Sequence, residues 1–291
     1  MIAAPRRSFT VPIPGRAPLV LGPRTLVMGV INVTPDSFSD GGRAIDPLRA
    51  RDIAQAMEAA GADILDIGGE STRPGAEPVG AAEELARVVP ALQAIAPSVA
   101  IPISIDSYKA AVAAAALDEG AAIVNDISGF GFDPQLGALV ASRGAAAILM
   151  HARGNFETMH ERTDYGDVVA EVIVELQEAL KRAADCGVER TQLIIDPGLG
   201  FSKRAAHSFA VLAGLTAIAE MGLPILIGPS RKSFLASATG PLSSEDRDWA
   251  TAAAITASVL AGAHIVRVHN VEKMVHVVRV ADRLRLADGA S

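Results

Sequence analysis

The fold that this sequence predicts is an α/β (β/α)8 TIM barrel with a short N-terminal hairpin, and three observations lead there. Eight short runs rich in Ile, Val and Leu recur along the 291 residues. Each run is continuously apolar rather than alternating, as strands are when a parallel sheet is covered on both faces. Ala-, Glu- and Leu-rich segments of helical length separate the runs, and the runs end in polar residues. Such alternation gives βα units around a parallel sheet. A doubly wound open sheet shares the alternation, but eight successive units favour closure into a barrel.

In chain order, residues 8–22, with Pro12, Pro14 and Gly15, form a hairpin expected to plug the bottom of the barrel. The barrel strands are expected at Leu26–Val33, Ala62–Gly69, Ile101–Asp106, Ala121–Ser128, Ala146–His151, Leu193–Gly198, Pro224–Ser230 and His264–His269. Helical patterns occupy Pro47–Ala60, Ala81–Ala96, Asp167–Ala184 and Glu245–Ala261, and Gly61, Gly120, Gly187, Gly222 and Gly262 are placed to cap helices. Barrels of about 250 residues commonly form one unit. No linker or low-complexity tract divides this chain, so residues 1–291 read as one domain, with the barrel proper over about 24–285. Trp249–Val266 carries no formal charge over 18 residues, but Gly262 and His264 interrupt it. It reads as a buried helix running into a strand rather than a membrane span.

Composition narrows the function. The net charge of -7, from 33 acidic and 26 basic residues, disfavours nucleic acid as a partner, and 4% aromatics leave little for base stacking. Three prolines by Gly15 exclude a signal peptide's apolar core. The lone Cys186 excludes an intrachain disulfide. The expectation is a cytoplasmic enzyme without a membrane partner.

In a (β/α)8 barrel the active site lies at the C-terminal strand ends. Here those ends carry Asn32, Asp66, Asp106, Asn125-Asp126, Met150-His151, Asp196 and Arg267-Val-His269, while strand 7 runs into Gly228-Pro-Ser-Arg-Lys-Ser233. By period-2 alternation Ser104 shares a face with Asp106, Ile194 with Asp196, and Ile265 with Arg267 and His269. If those faces point inward, charged and amide groups converge. Each alone also suits a helix N-cap, Asp106 above all. Asp106, Asn125, Asp196 and Lys232 suit a flat heterocycle with an amidine-like edge, since carboxylates pair bidentately with adjacent N–H donors. Asn32, Arg73, Arg267 and His269 suit an anion, with Asn32 reaching a metal on a phosphate.

Several segments carry a resemblance. Residues 29–42 (GVINVTPDSFSDGG) and 68–75 (GGESTRPG) resemble the signature segments of the dihydropteroate synthase family. Ile105-Asp-Ser107, Asn125-Asp-Ile-Ser-Gly129, Asp196-Pro-Gly-Leu-Gly-Phe201, Ser230-Arg-Lys-Ser-Phe234 and Arg267-Val-His269 do so as well. The match spans roughly residues 26–285, and its first two motifs are the most specific. The resemblance implies condensation of 6-hydroxymethyl-7,8-dihydropterin diphosphate with 4-aminobenzoate to 7,8-dihydropteroate and diphosphate, a step of folate biosynthesis. It implies that Asp106, Asn125, Asp196 and Lys232 hold the pterin, with Met150, Phe201 and Gly228 lining its pocket. Asn32, Arg73, Arg267 and His269 would take the diphosphate, with Mg²⁺ at Asn32. Phe38, Thr72, Arg73, Pro74 and Ser233 would form the 4-aminobenzoate site, and a homodimer is expected. Three positions depart from the family pattern: Ser202 in place of Gly, Ala152 in place of Met and Asn270 in place of Asp. A pterin-dependent methyltransferase and a non-catalytic pterin-binding protein are the rival readings.

Other motifs fail on inspection. Gly129-Phe-Gly131 lacks the third glycine of a dinucleotide loop, and Lys232-Ser233 lacks the preceding glycine of a P-loop. No zinc spacing occurs. His160, His207, His264 and His276 are expected as surface or helix residues, His151 as structural, and Cys186 as a small apolar filler.

Overall fold

The computed structural model describes residues 3–34, 46–243 and 246–288. Phe38 lies outside them. Two strands, β1 (Phe9–Val11) and β2 (Leu19–Leu21), form the expected antiparallel hairpin. The barrel strands follow as β3 (Leu26–Asn32), β4 (Ile64–Gly68), β5 (Ile103–Asp106), β6 (Ile123–Asp126), β7 (Ala146–Met150), β8 (Leu193–Asp196), β9 (Leu226–Ile227) and β10 (Ile265–Val268). All their ladders are parallel, in the order β8-β7-β6-β5-β4-β3-β10-β9. A single bridge between Ile195 and Ile225 closes the ring. The helices are α1 (Pro47–Ala59), α2 (Ala81–Ile95), α3 (Ala110–Asp118), α4 (Leu136–Arg143), α5 (Val168–Asp185), α6 (Ala205–Ala213), α7 (Leu215–Ala219), α8 (Ala236–Thr239), α9 (Arg247–Leu260) and α10 (Val271–Asp288).

The seventh barrel strand corrects the expectation. It spans two residues rather than Pro224–Ser230, because Gly228-Pro229 leads out of the ladder and proline has no N–H to donate to it. Asp167 starts α5 as its cap, accepting from Val169 N at 3.0 Å and Ala170 N at 3.1 Å at the positive end of the helix dipole.

Alternation sorts the strands into two cores. Residues one step out of phase, such as Val27, Leu65, Ile105 and Ile195, pack against the helices. Met28, Ile64, Ile148, Ile194, Leu226 and Ile265 point inward and meet Val11, Ile13, Leu19 and Leu21 of the hairpin. The hairpin is therefore the plug that the sequence suggested, and the inward face of each strand continues upward into the polar strand ends.

One polar contact ties plug to barrel. His264, expected at the surface or on a helix, is 3% exposed at the foot of β10. Its Nδ1 accepts from Ile225 N at 3.1 Å, its Nε2 donates to Arg7 O at 3.0 Å, and Phe9 meets the ring edge-on at 5.2 Å. Burial pushes its pKa down to about 4, so the folded state holds the neutral ring. Above pH 6.5 the neutral ring contributes its full stability. Between 6.5 and 4 the unfolded state binds the extra proton, and that contribution fades. The stability advantage of wild type over His264→Gln, from urea unfolding, should shrink steadily from pH 7 to 4.5. An advantage constant across that window would overturn this assignment.

Candidate active site

The barrel mouth is organised around Arg267, two residues above inward-facing Ile265. Its Nε donates to Asp66 Oδ2 at 2.6 Å, and its terminal nitrogen donates to Asp106 Oδ2 at 2.6 Å. Asn125 Nδ2 also donates to Asp66 Oδ2, at 3.0 Å. Register explains the meeting: Asp66 is level with Ser104 on β5, and Asp106 with Asn125 on β6. Asp106 is thus no helix cap; Ser107 Oγ instead accepts from Lys109 N ahead of α3. Burial opposes the charge on Arg267, but Asp66 and Asp106 more than offset it and raise its pKa. Asn32 stands beside this group, since a Cβ on Gly68 would fall 3.6 Å from Asn32 Oδ1 and 3.5 Å from Asp106 Cβ.

Asp66 joins Asn125 to Arg267 in this cluster of four, yet nothing in the sequence assigns it a role. Its in-phase spacing from Gly68 was the available signal. Its second oxygen, Oδ1, and neighbouring Ser104 Oγ are buried without a hydrogen-bond partner among the described residues.

The second half of the mouth faces Asp196. Its Oδ1 accepts from Gly198 N at 2.7 Å, closing a turn over the Asp-Pro-Gly segment. Lys232 Nζ donates to Leu199 O at 2.5 Å and lies 4.6 Å from the Phe201 ring centroid. Burial pushes Asp196 upward, against the pull of Lys232. It pushes Asp106 up to about 7 against Arg267, and Lys232 down to about 8 against Asp196. These opposed shifts have one cause, the low solvation of carboxylates and an ammonium group that share one mouth. Met150 and Gly228 are buried beside them, and a Cβ on Gly228 would lie 3.6 Å from Arg267 Cβ.

His269 faces the cationic side. Its Nδ1 lies 3.0 Å from Ser230 Oγ, and its backbone N donates to the same hydroxyl at 3.2 Å. Burial, then the positive charges of Arg267, Arg231, Arg73 and Lys232, push its pKa down to about 3. Such a converging positive field is what an anion would meet. Thr72 is half-buried in the loop after β4, whereas Arg73, Pro74 and Ser233 are exposed.

The departures from the family pattern find physical accounts at two positions. Ser202 adopts φ 49°, a left-handed conformation that favours glycine. Its buried hydroxyl offsets that strain, accepting from Arg153 N at 2.7 Å and donating to Met159 O at 2.7 Å. Asn270 caps α10, accepting from Lys273 N at 3.1 Å, and donates to Asp248 at 2.9 Å. Nothing in the structure explains Ala152.

Beneath the Asp196 turn, Lys203 Nζ meets His151 Nδ1 at 2.7 Å and donates to Gly198 O and Phe201 O, both at 3.1 Å. Burial lowers the Lys203 pKa to about 7, but three acceptors match the three N–H bonds of its ammonium form. His151, held neutral by burial, then directs Nε2–H to Glu175 at 2.9 Å. The structural reading of His151 holds. His160 does not sit free on the surface as expected; it is half-buried against Phe201.

Breaking this cluster should be costly, because Asp66 is fully buried. Asp66→Ala leaves Arg267 one carboxylate short and should lose about 3–5 kcal/mol in urea unfolding, with Asp66→Asn losing less. A loss below about 1 kcal/mol for the alanine variant would mean that Arg267 does not depend on Asp66.

Comparison with known proteins agrees with this geometry. Residues 28–269 match the pterin binding enzyme family, which sets the class. The chain is 46% identical over 277 residues to dihydropteroate synthase of Synechocystis sp., covering 95% of this chain and 96% of that one. Xanthomonas albilineans dihydropteroate synthase, solved with 4-aminobenzoic acid, superposes with a TM-score of 0.88 at 38% identity, over 96% of this chain and 99% of that one. The same enzyme in complex with 7,8-dihydropteroate gives 0.84 at 35% identity, over 95% and 98%. The chain belongs to the dihydropteroate synthase family.

Proposed function

We propose that the barrel mouth condenses 6-hydroxymethyl-7,8-dihydropterin diphosphate with 4-aminobenzoate, releasing 7,8-dihydropteroate and diphosphate, as a transferase of folate biosynthesis. The observation that carries this reading is the pairing of two poles in one mouth: Asp196 and Asp106, both pushed upward by burial, beside Arg267 and His269. Asp196, Asp106 and Asn125 would take the N–H edge of the pterin. Lys232 would donate to its acceptor atoms, and Phe201, Met150 and Gly228 would wall the ring. The C–O bond to diphosphate then breaks with its electron pair leaving on oxygen. Positive charge spreads from the methylene carbon into the ring, where the fixed carboxylates stabilise it. Arg267, His269 and Asn32 hold the departing anion, and the arylamine nitrogen attacks the carbon and loses a proton. Thr72, Arg73, Pro74 and Ser233, with Phe38, would orient the aminobenzoate; the loop that carries Thr72 and Arg73 favours the synthase over a methyltransferase.

The residues present fit a magnesium ion shared with substrate. No group of three His, Cys, Asp or Glu side chains among the described residues could hold a metal alone. Asn32 offers a hard amide oxygen beside Asp106, so phosphate oxygens would complete the coordination. When bound, Mg²⁺ supplies charge stabilisation to the leaving diphosphate. Product formation should require both substrates and Mg²⁺ and be abolished by EDTA. Turnover unaffected by chelation would remove the metal from this scheme, and no turnover with magnesium present would refute the synthase reading.

The same reading includes a homodimer. Helices α9 and α10 pack together and expose Trp249 at 78%, Val280 at 62% and Leu286 at 52%, an apolar surface suited to a second copy. Light scattering should give twice the 30.0 kDa of one chain; a monomer at micromolar concentration would overturn it. The lone Cys186 supports a cytoplasmic setting, and no helix among the described residues is long and apolar enough to cross a membrane.

A further inference from the structure

The chemistry above leaves His160 without a task, yet it touches both halves of the proposed site. It lies between β7 and α5, and its Nε2 is 3.0 Å from the Thr72 carbonyl oxygen. A carbonyl only accepts, so Nε2 carries the hydrogen. The imidazole also stacks on Phe201, with centroids 5.6 Å apart and planes at 28°. Phe201 is the ring that lies 4.6 Å from Lys232 Nζ.

Both partners of this contact are anchored elsewhere. Ser202, adjacent to Phe201, donates to the carbonyl of Met159, adjacent to His160, at 2.7 Å. That bond fixes the two segments side by side. The loop after β4 is tied at its base, where Glu70 accepts from Val79 N at 2.5 Å and from Lys109 Nζ at 2.9 Å. Between these ties, the Thr72 carbonyl shares a rigid peptide plane with the backbone N of Arg73. Holding that carbonyl therefore orients the start of Arg73, whose side chain is exposed.

We propose that His160 is a positioning residue that couples the two substrate sites: its ring is set by Phe201, and its N–H sets the Thr72–Arg73 peptide over the bound pterin. The proposal rests on the synthase reading. A pterin packed against Phe201 and Lys232 steadies the imidazole, the imidazole steadies the loop, and 4-aminobenzoate then meets a formed site. Because coupling between binding sites is reciprocal, each substrate should tighten the other through this residue.

Three variants separate the hydrogen bond from the stack. His160→Ala removes both and should raise KM for 4-aminobenzoate about fivefold, the scale of one hydrogen bond, with Tm and the pterin affinity of the aminobenzoate-free protein nearly unchanged. His160→Gln keeps an N–H donor and should recover most of the loss. His160→Phe keeps the stack without the donor and should not. Unchanged KM in the alanine variant, or rescue by Phe equal to that by Gln, would overturn the proposal. Equal losses for both substrates with a lowered Tm would also overturn it, showing a merely structural role. A binding arm titrates 4-aminobenzoate onto protein saturated with a pterin carboxylic acid and diphosphate. It reads the same coupling if wild type shows no turnover, so failure of the synthase reading is distinguishable from failure of the proposal. Wild type that binds no pterin would sink both.

Discussion

Arg267 carries a positive charge into the barrel mouth, and the arrangement of the surrounding strands follows from making that charge tolerable. An isolated buried guanidinium is prohibitively costly, so carboxylates must meet it with good geometry. Asp66 and Asp106 do so from adjacent strands, each at 2.6 Å. Two carboxylates around one guanidinium leave net negative charge, and burial accordingly drives Asp106 upward. Asn125 relieves Asp66 by donating to it. Lys232 opposes Asp196 across the mouth, and their charges act on one another without a direct bond between them. The site is therefore not a set of independent contacts. Shifting Arg267 would unsettle the carboxylate floor and the anion pole together.

The sequence made the alternation legible, and with it most of the floor. Once Ile194 and Ile265 are known to point inward, Asp196, Arg267 and His269 must follow them by strand geometry alone. The hairpin plug was legible for the same reason: a short apolar pair of strands ahead of a barrel has few other surfaces to cover. The partners were another matter. Arg267 and Asp66 lie 201 residues apart in the chain, and Lys203 and His151 lie 52 apart. No local period connects such pairs. His264 misled because its burial depends on the hairpin backbone, and His160 because its contacts come from two separate loops. β9 is short because Pro229, visible in the sequence, has no N–H to extend its ladder.

Ser202 shows how a departure from a family pattern can be absorbed. A left-handed serine carries strain that glycine would not, but its hydroxyl joins the segment after β8 to the segment after β7. Below it, Lys203 fastens the same turn from the opposite direction, using every hydrogen of its ammonium group. The Asp196 turn is thus held by a charge on one side and by a hydroxyl on the other.

The closure of the ring has a consequence of its own. Between β8 and β9 the barrel is joined by one bridge, Ile195 to Ile225, where the other neighbouring strands pair over two to five residues. That junction is a seam, and regions with few backbone bonds open at lower free energy than the rest. Asp196 stands on one lip of the seam, and the segment carrying Lys232 leaves from the other. A molecule bonded to both would span the gap and supply the cross-links that the strands omit, acting as a last stave of the barrel.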